Sequence, residues 1–312
     1  MIFFVLYIYS FIMVVGSDDW LIIWMGLEVN MMSFLFLFYR KKSMNNIESC
    51  MKYFFIQSLG SALFIGVVYL YISSDWVSSC ILSYKLGAGP FFFWFPSVID
   101  GLNWVGAFFL MTFQKILPLV LLIMFISWVV WFILIVSLVV GVLGSFNQSK
   151  MKFLFAYSSI HHLGWLLMCS FVDNGIWFFY LLMYGMVLSV VFMMYYYEID
   201  SFMDIMKWKN KWWFFLGVMS MAGVPPLLGF FLKWLAFYYI LNINLYLVVM
   251  MVLMSVIMFY IYVRVVYDIM VGGVFNIGWC YTMYNCHYFF SLDFLMFLGV
   301  FIGSILGLMM LT

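Results

Sequence analysis

From the first residue to the last, this chain repeats one pattern: an apolar run about as long as a bilayer is thick, then a short polar break, then another run. "WLIIWMGLEVNMMSFLFLF" (Trp20–Phe38) is typical. In hydrocarbon no water is present to satisfy backbone N–H and C=O groups, so only helices and closed barrels span a membrane. Runs of about 17–25 residues fit helices, whereas barrel strands are ~10-residue segments of alternating polarity. The composition agrees: 69% of the 312 residues are hydrophobic and 8% charged, against about a quarter charged in soluble domains. Mean hydropathy is +1.17. The sequence therefore predicts an all-α, polytopic transmembrane bundle.

Cutting at the polar breaks gives about eleven spans within a single integral membrane domain, residues 1–312: 1–16, 20–39, 50–73, 77–97, 103–126, 128–146, 152–172, 175–197, 212–241, 244–269 and 289–311. There are thirteen Lys and Arg. Ten of them (Arg40, Lys41, Lys42, Lys52, Lys150, Lys152, Lys207, Lys209, Lys211 and Arg264) fall on the side of the amino terminus. The opposite connections carry Asp18, Asp19, Asp75 and Asp173 and no base. The positive-inside rule then puts the amino terminus inside and, after an odd number of spans, the carboxyl terminus outside.

Three bases remain, Lys85, Lys115 and Lys233, each within an apolar span, and one acid, Glu28, has no loop to account for it. Glu28 lies about twelve residues from Arg40, roughly 18 Å along a helix, which is mid-bilayer depth. Each such charge costs about 2.5–3.5 kcal/mol on insertion scales. For Glu28 the alternative is a hydrogen-bond anchor between helices; for Lys85, whose span edge is poorly defined, it is snorkelling to the interface. Lys115 sits between "FFLMTFQ" and "ILPLVLLIMF" and has no such exit.

All five prolines share spans with these lysines: Pro90 and Pro96 follow Lys85, Pro118 follows Lys115, and Pro225 and Pro226 precede Lys233. With their glycines they mark two broken helices, "KLGAGPFFFWFP" and "MAGVPPLLGFFLKW". The prolines are expected to break them by removing backbone donors. The two segments are five spans apart, and an odd offset inverts one relative to the other, as in two inverted five-helix repeats around a buried ion path. Freed backbone at membrane depth is tolerated only where it faces protein or a watery cavity. A carboxylate and an ammonium that approach and part in such a place change each other's proton affinity, so the row of charges reads as a proton relay.

Net charge is +1, which points to no nucleic-acid surface. Cys50, Cys80, Cys169, Cys280 and Cys286 contain no CxxC, and the spacing of Cys280, Cys286 and His287 is not that of a metal site. They read as packing residues. "YYYEIDSFMDIMKWKNKWW", with Glu198, Asp200 and Asp204, reads as an amphipathic connector. "MIFFVLYIYSFIMVV" has neither the basic region of a signal peptide nor its cleavage site.

In this order, "WMGLEVN" (Trp24–Asn30), "IESCMKYFFIQSLGSALF" (Ile47–Phe64), "KLGAGPFFFWFPSV" (Lys85–Val98), "FQKILPL" (Phe113–Leu119), "GSFNQSKMKFLFAYSSIHHLGW" (Gly144–Trp165) and "GVPPLLGFFLKW" (Gly223–Trp234) resemble the chain 2 family of mitochondrial NADH:ubiquinone oxidoreductases, antiporter-like subunits of respiratory complex I. The resemblance spans nearly the whole chain. It implies a membrane-arm subunit of the mitochondrial inner membrane, with its amino terminus in the matrix and its carboxyl terminus in the intermembrane space. Such a subunit translocates protons, while NADH, FMN, iron–sulfur clusters and ubiquinone are bound by other subunits and this chain holds no cofactor or metal. Its partners would be the other membrane-arm and peripheral subunits, and lipids. By the same resemblance Glu28 pairs with Lys85, Lys115 links that half-channel to Lys233, and His162 stands at the family's central histidine, as relay or as polar contact; His161 reads as a core histidine. Two positions depart from the family pattern: Phe92 stands for a histidine and Ser97 for a glutamate. A stand-alone cation/proton antiporter and an inert scaffold remain the competing readings.

Overall fold

The computed structural model describes residues 2–40, 43–70, 75–146, 148–172, 175–192, 211–225, 227–240 and 245–272. Lys41, Lys42, Asp173, the connector with Lys207 and Lys209, Pro226, Cys280, Cys286 and the eleventh expected span lie outside them. Helices make up the described chain: α1 (Ile2–Gly16), α2 (Trp20–Phe38), α3 (Met44–Tyr69), α4 (Asp75–Leu86), α5 (Trp94–Gly101), α6 (Trp104–Met111), a 3-10 turn (Phe113–Lys115), α7 (Ile116–Met124), α8 (Trp128–Ser145), α9 (Met151–Val172), α10 (Ile176–Phe192), α11 (Lys211–Ala222), α12 (Leu228–Ile240) and α13 (Leu245–Gly272). Among the described residues, five stretches are long and apolar enough to cross a membrane: Trp20–Phe38, Met44–Tyr69, Trp104–Met124, Trp128–Ser145 and Tyr246–Tyr267. The spans expected at 77–97 and 212–241 divide into shorter helices, as broken helices must.

Two compact units form, one from Met1–Gly144 with Lys152–Leu167, the other from Ser145–Met151 with the described part of Met168–Thr312. In the first, α3 is packed inside out relative to a soluble helix. Its buried residues are Asn46, Ser49, Cys50, Tyr53, Gln57, Gly60, Ser61 and Phe64, a stripe at helical spacing. Met51, Phe55, Leu59 and Leu63 face outward. Lipid is as apolar as leucine, so burying leucine gains little there, while small and polar residues gain close packing and hydrogen bonds between helices. α3 packs on α2, α4 and α5.

α8 and α9 meet within this unit through glycines. A Cβ on Gly141 would lie 2.5 Å from the backbone nitrogen of His161, and one on Gly164 would lie 2.6 Å from Cγ of Leu138. Only a residue without a side chain lets the backbones approach so closely. In the second unit α10 packs on α11 and α12, and α11 on α13.

Both broken helices end in the same way, and not at their prolines. After Leu86, Gly87 takes φ +67°; its N–H donates to Tyr84 O at 3.2 Å, and the Ala88 N–H donates to Ser83 O at 3.1 Å. After Ala222, Gly223 takes φ +87°; its N–H donates to Ser220 O at 3.2 Å, and the Val224 N–H to Met219 O at 3.3 Å. Each is a Schellman motif, the termination that a left-handed glycine permits. "KLGAGP" and "MAGVPP" thus align glycine on glycine. This corrects the expectation that the prolines break the helices. Pro90 and Pro225 follow helices that have already stopped, and Pro96 and Pro118 occupy the first turns of α5 and α7, where a missing N–H removes no intrahelical bond. The structure adds a third interruption: the span expected as continuous over 103–126 has its 3-10 turn at Phe113–Lys115.

Candidate functional site: buried lysines at helix breaks

Each buried lysine lies at or beside one of these interruptions. Lys85 is the penultimate residue of α4, Lys115 ends the 3-10 turn, and Lys233, on α12, reaches back to the end of α11. All three are buried, at 5%, 2% and 8% relative exposure. That excludes snorkelling for Lys85.

Around Lys85 the polar stripe of α3 does three things. Gln57 Nε2 donates to the Lys85 carbonyl at 2.9 Å, satisfying an acceptor near the helix end. Gly60 makes room: a Cβ there would stand 2.7 Å from Lys85 Cγ and 3.3 Å from both Cδ and Cε. The Ser61 hydroxyl donates to Oε1 of Glu28 on α2. Glu28 and Lys85 therefore meet across neighbouring residues of one helix. They are close enough to interact electrostatically, without an ion pair within 4.0 Å. Gln57, Gly60 and Ser61 were missed in reading the sequence; their signal was a run of small and polar residues at i, i+3 and i+4 in an otherwise apolar span.

Lys115 Nζ donates to Ser159 O on α9 at 3.0 Å and stands 5.3 Å from the centroid of the Phe95 ring, a cation–π distance. His162, buried on α9, follows Ser159 by three residues and shares its face of the helix. His161 accepts from Trp165 Nε1 at 3.2 Å, as a core histidine would. Lys85 and Lys115 line one cavity, with Asn30, Tyr53, Gln57, Trp94, Phe95 and Gln114 also in its wall. The centre of a water molecule has about 20 Å3 to move in there, enough for one water.

In the second unit Lys233 Nζ donates to Ala222 O at 2.8 Å, the carbonyl that ends α11. Gly223 gives it space, since a Cβ there would lie 3.2 Å from Lys233 Cδ. Lys233 also lines a wider opening of about 240 Å3 walled by Phe230, Trp234, Phe237 and Phe259.

The departures from the family pattern lie apart from these contacts. The Phe92 ring neighbours Tyr157 at 6.4 Å, and the Ser97 hydroxyl donates to Trp94 O at 2.8 Å within its own helix. Cys50, Cys80 and Cys169 are free thiols.

The transmembrane model of the NADH:quinone oxidoreductase/Mrp antiporter family matches residues 17–83 and 80–258. NADH-ubiquinone oxidoreductase chain 2 of Aedes aegypti is 32% identical over 99% of this chain and 98% of its own length. The chain 2 protein of Anopheles gambiae is 35% identical over 86% and 85%. Among solved structures the fold is shared with a chain of respiratory complex I from Thermus thermophilus with bound aureothin (TM-score 0.79, 20% identity, 97% of this chain and 77% of that one). It is also shared with a chain of the Mrp complex from Dietzia sp. DQ12-45-1b (TM-score 0.70, 14% identity, 84% and 59%). A match over most of the chain to the family model, and over nearly its whole length to chain 2 proteins, makes this chain a member of the NADH:quinone oxidoreductase/Mrp antiporter transmembrane family, in its NADH-ubiquinone oxidoreductase chain 2 branch.

Proposed function

We propose that this chain is a membrane-arm subunit of respiratory complex I, and that it moves protons across the mitochondrial inner membrane while electrons pass from NADH to ubiquinone in other subunits. The observation that carries this reading is the cavity shared by Lys85 and Lys115, with Glu28 one helix away through Ser61. Two ammonium groups buried in one cavity at membrane depth are costly, and a proton relay uses what a scaffold would only have to tolerate. In this reading Glu28 and Lys85 form the entry, Lys115 and His162 the middle, and Lys233 the exit, while Pro90, Pro118 and Pro225 hold the interrupted backbone in place. The whole chain acts as one membrane domain, its two broken helices belonging to inverted repeats. NADH, FMN, iron–sulfur clusters and ubiquinone belong to partner subunits.

Arg40 beyond α2, Lys52 on α3, and Lys150 and Lys152 at the start of α9 support the proposed orientation, in which these ends and the amino terminus face the matrix and the carboxyl terminus faces the intermembrane space. Relatives bearing the chain 2 name are matched over 70–98% of their own length, which favours this reading over a stand-alone cation/proton antiporter. The test is Lys115→Met in the assembled complex. Proton pumping per NADH oxidised falls, with assembly on a native gel unchanged. A normal proton-to-electron ratio in a fully assembled variant refutes the relay.

A further inference from the structure

Three residues that carry side-chain amides are among those lining the cavity of Lys85 and Lys115: Asn30, Gln57 and Gln114. Two are committed to protein, since Asn30 Nδ2 donates to Ser10 Oγ at 3.0 Å and Gln57 Nε2 to Lys85 O at 2.9 Å. Gln114 Nε2 is buried and has no acceptor among the described residues. A buried amide without a partner is costly, and such groups are normally satisfied by ordered water. The room fits: about 20 Å3 for a water's centre is the space of one molecule. The backbone holds the amide there. Gln114 lies in the 3-10 turn beside Lys115, and Pro118, in the first turn of α7, has no N–H to offer the Gln114 carbonyl.

We infer that Gln114 is a positioning residue that fixes a single water between Lys85 and Lys115. The inference rests on the relay proposed above and adds to it a defined carrier. The water takes a proton from the Lys85 ammonium on its oxygen as one of its own O–H bonds gives a proton to the Lys115 amine. One N–H bond breaks and one forms, and the water is left as it was. The amide, which neither gains nor loses a proton at neutral pH, orients the water without competing for its charge. Leu27, Leu86, Leu110, Leu117 and Phe95 supply apolar wall to the same cavity.

The test uses the assembled complex. A density map that resolves waters is expected to show one within hydrogen-bond distance of the Gln114 amide. Gln114→Met keeps the length of the side chain and removes its polar atoms; it lowers the pumping rate about tenfold, the worth of roughly one lost hydrogen bond. Gln114→Glu, which can still hold a water, restores the rate to within about twofold. No ordered water at the amide, pumping by Gln114→Met at the normal rate, or equal loss in the Met and Glu variants each overturns the inference. Lys115→Met separates the two levels: if it abolishes pumping while Gln114→Met leaves it intact, the relay stands and the pinned water falls. If neither changes pumping, both fall.

Discussion

Gly60→Ala separates the stability of this fold from its proposed work. Within α3 the substitution helps folding, because alanine in a helix interior is favoured over glycine by about 0.5–1 kcal/mol. Its Cβ, however, would stand 2.7 Å from Lys85 Cγ and 3.3 Å from Cδ and Cε, against about 3.5–4.0 Å for an ordinary carbon contact. The Lys85 side chain must therefore retreat by about 0.8–1.3 Å at Cγ, and its ammonium moves relative to Glu28 and to the cavity toward Lys115. Because Cγ is only one bond from Lys85 Cβ, relief comes from a turn about χ1 or a shift of the α4 backbone, and either one moves the ammonium. A reacting group misplaced by about 1 Å costs about 10²-fold, so proton transfer should slow by about ten- to a hundredfold. The assay is quenching of a pH-gradient dye in vesicles that contain the assembled complex and are driven by NADH, normalised to complex content on a native gel. Normal assembly with the wild-type pumping rate would show that the position of Lys85 does not matter and would refute the reasoning.

Two further substitutions test how the breaks are held. Gln57→Leu removes the donor to the Lys85 carbonyl and leaves a buried acceptor unmet, at about 1–3 kcal/mol; the melting temperature of the solubilised complex drops, and an unchanged value would mean that another donor replaces it. Gly223→Ala forces a side chain into φ +87°, costing about 1–2 kcal/mol, and presses on Lys233. Assembly should fall in the order Gly, Asn, Ala, because asparagine tolerates the left-handed region better, and the reverse order would remove the Schellman motif from the explanation.

The two buried histidines show where sequence reading stops. His161 and His162 are adjacent and both buried. The resemblance gave them different roles, and the helix phase supplies a physical difference, placing His162 on the face of Ser159, whose carbonyl holds Lys115, while His161 meets Trp165. The prolines teach the same lesson from the other side. Their spacing marked the breaks correctly, but the glycine three positions before Pro90 and two before Pro225 ends each helix, because φ above zero rather than a missing donor turns the chain.

What the sequence determined by itself was everything that follows from summed local energies. Hydropathy over each run makes the chain helical and membrane-embedded, and the insertion cost of an isolated charge singles out Glu28, Lys85, Lys115 and Lys233. Tertiary structure decided who meets whom. That Gln57, Gly60 and Ser61 gather around Glu28 and Lys85, that Lys85 and Lys115 share a cavity, and that Gln114 Nε2 is buried without an acceptor among the described residues depend on how α2, α3, α4 and α7 pack. Hydrogen bonds and close approaches between helices are set at the scale of an ångström by helix phase and crossing, and no additive property of the chain contains that information.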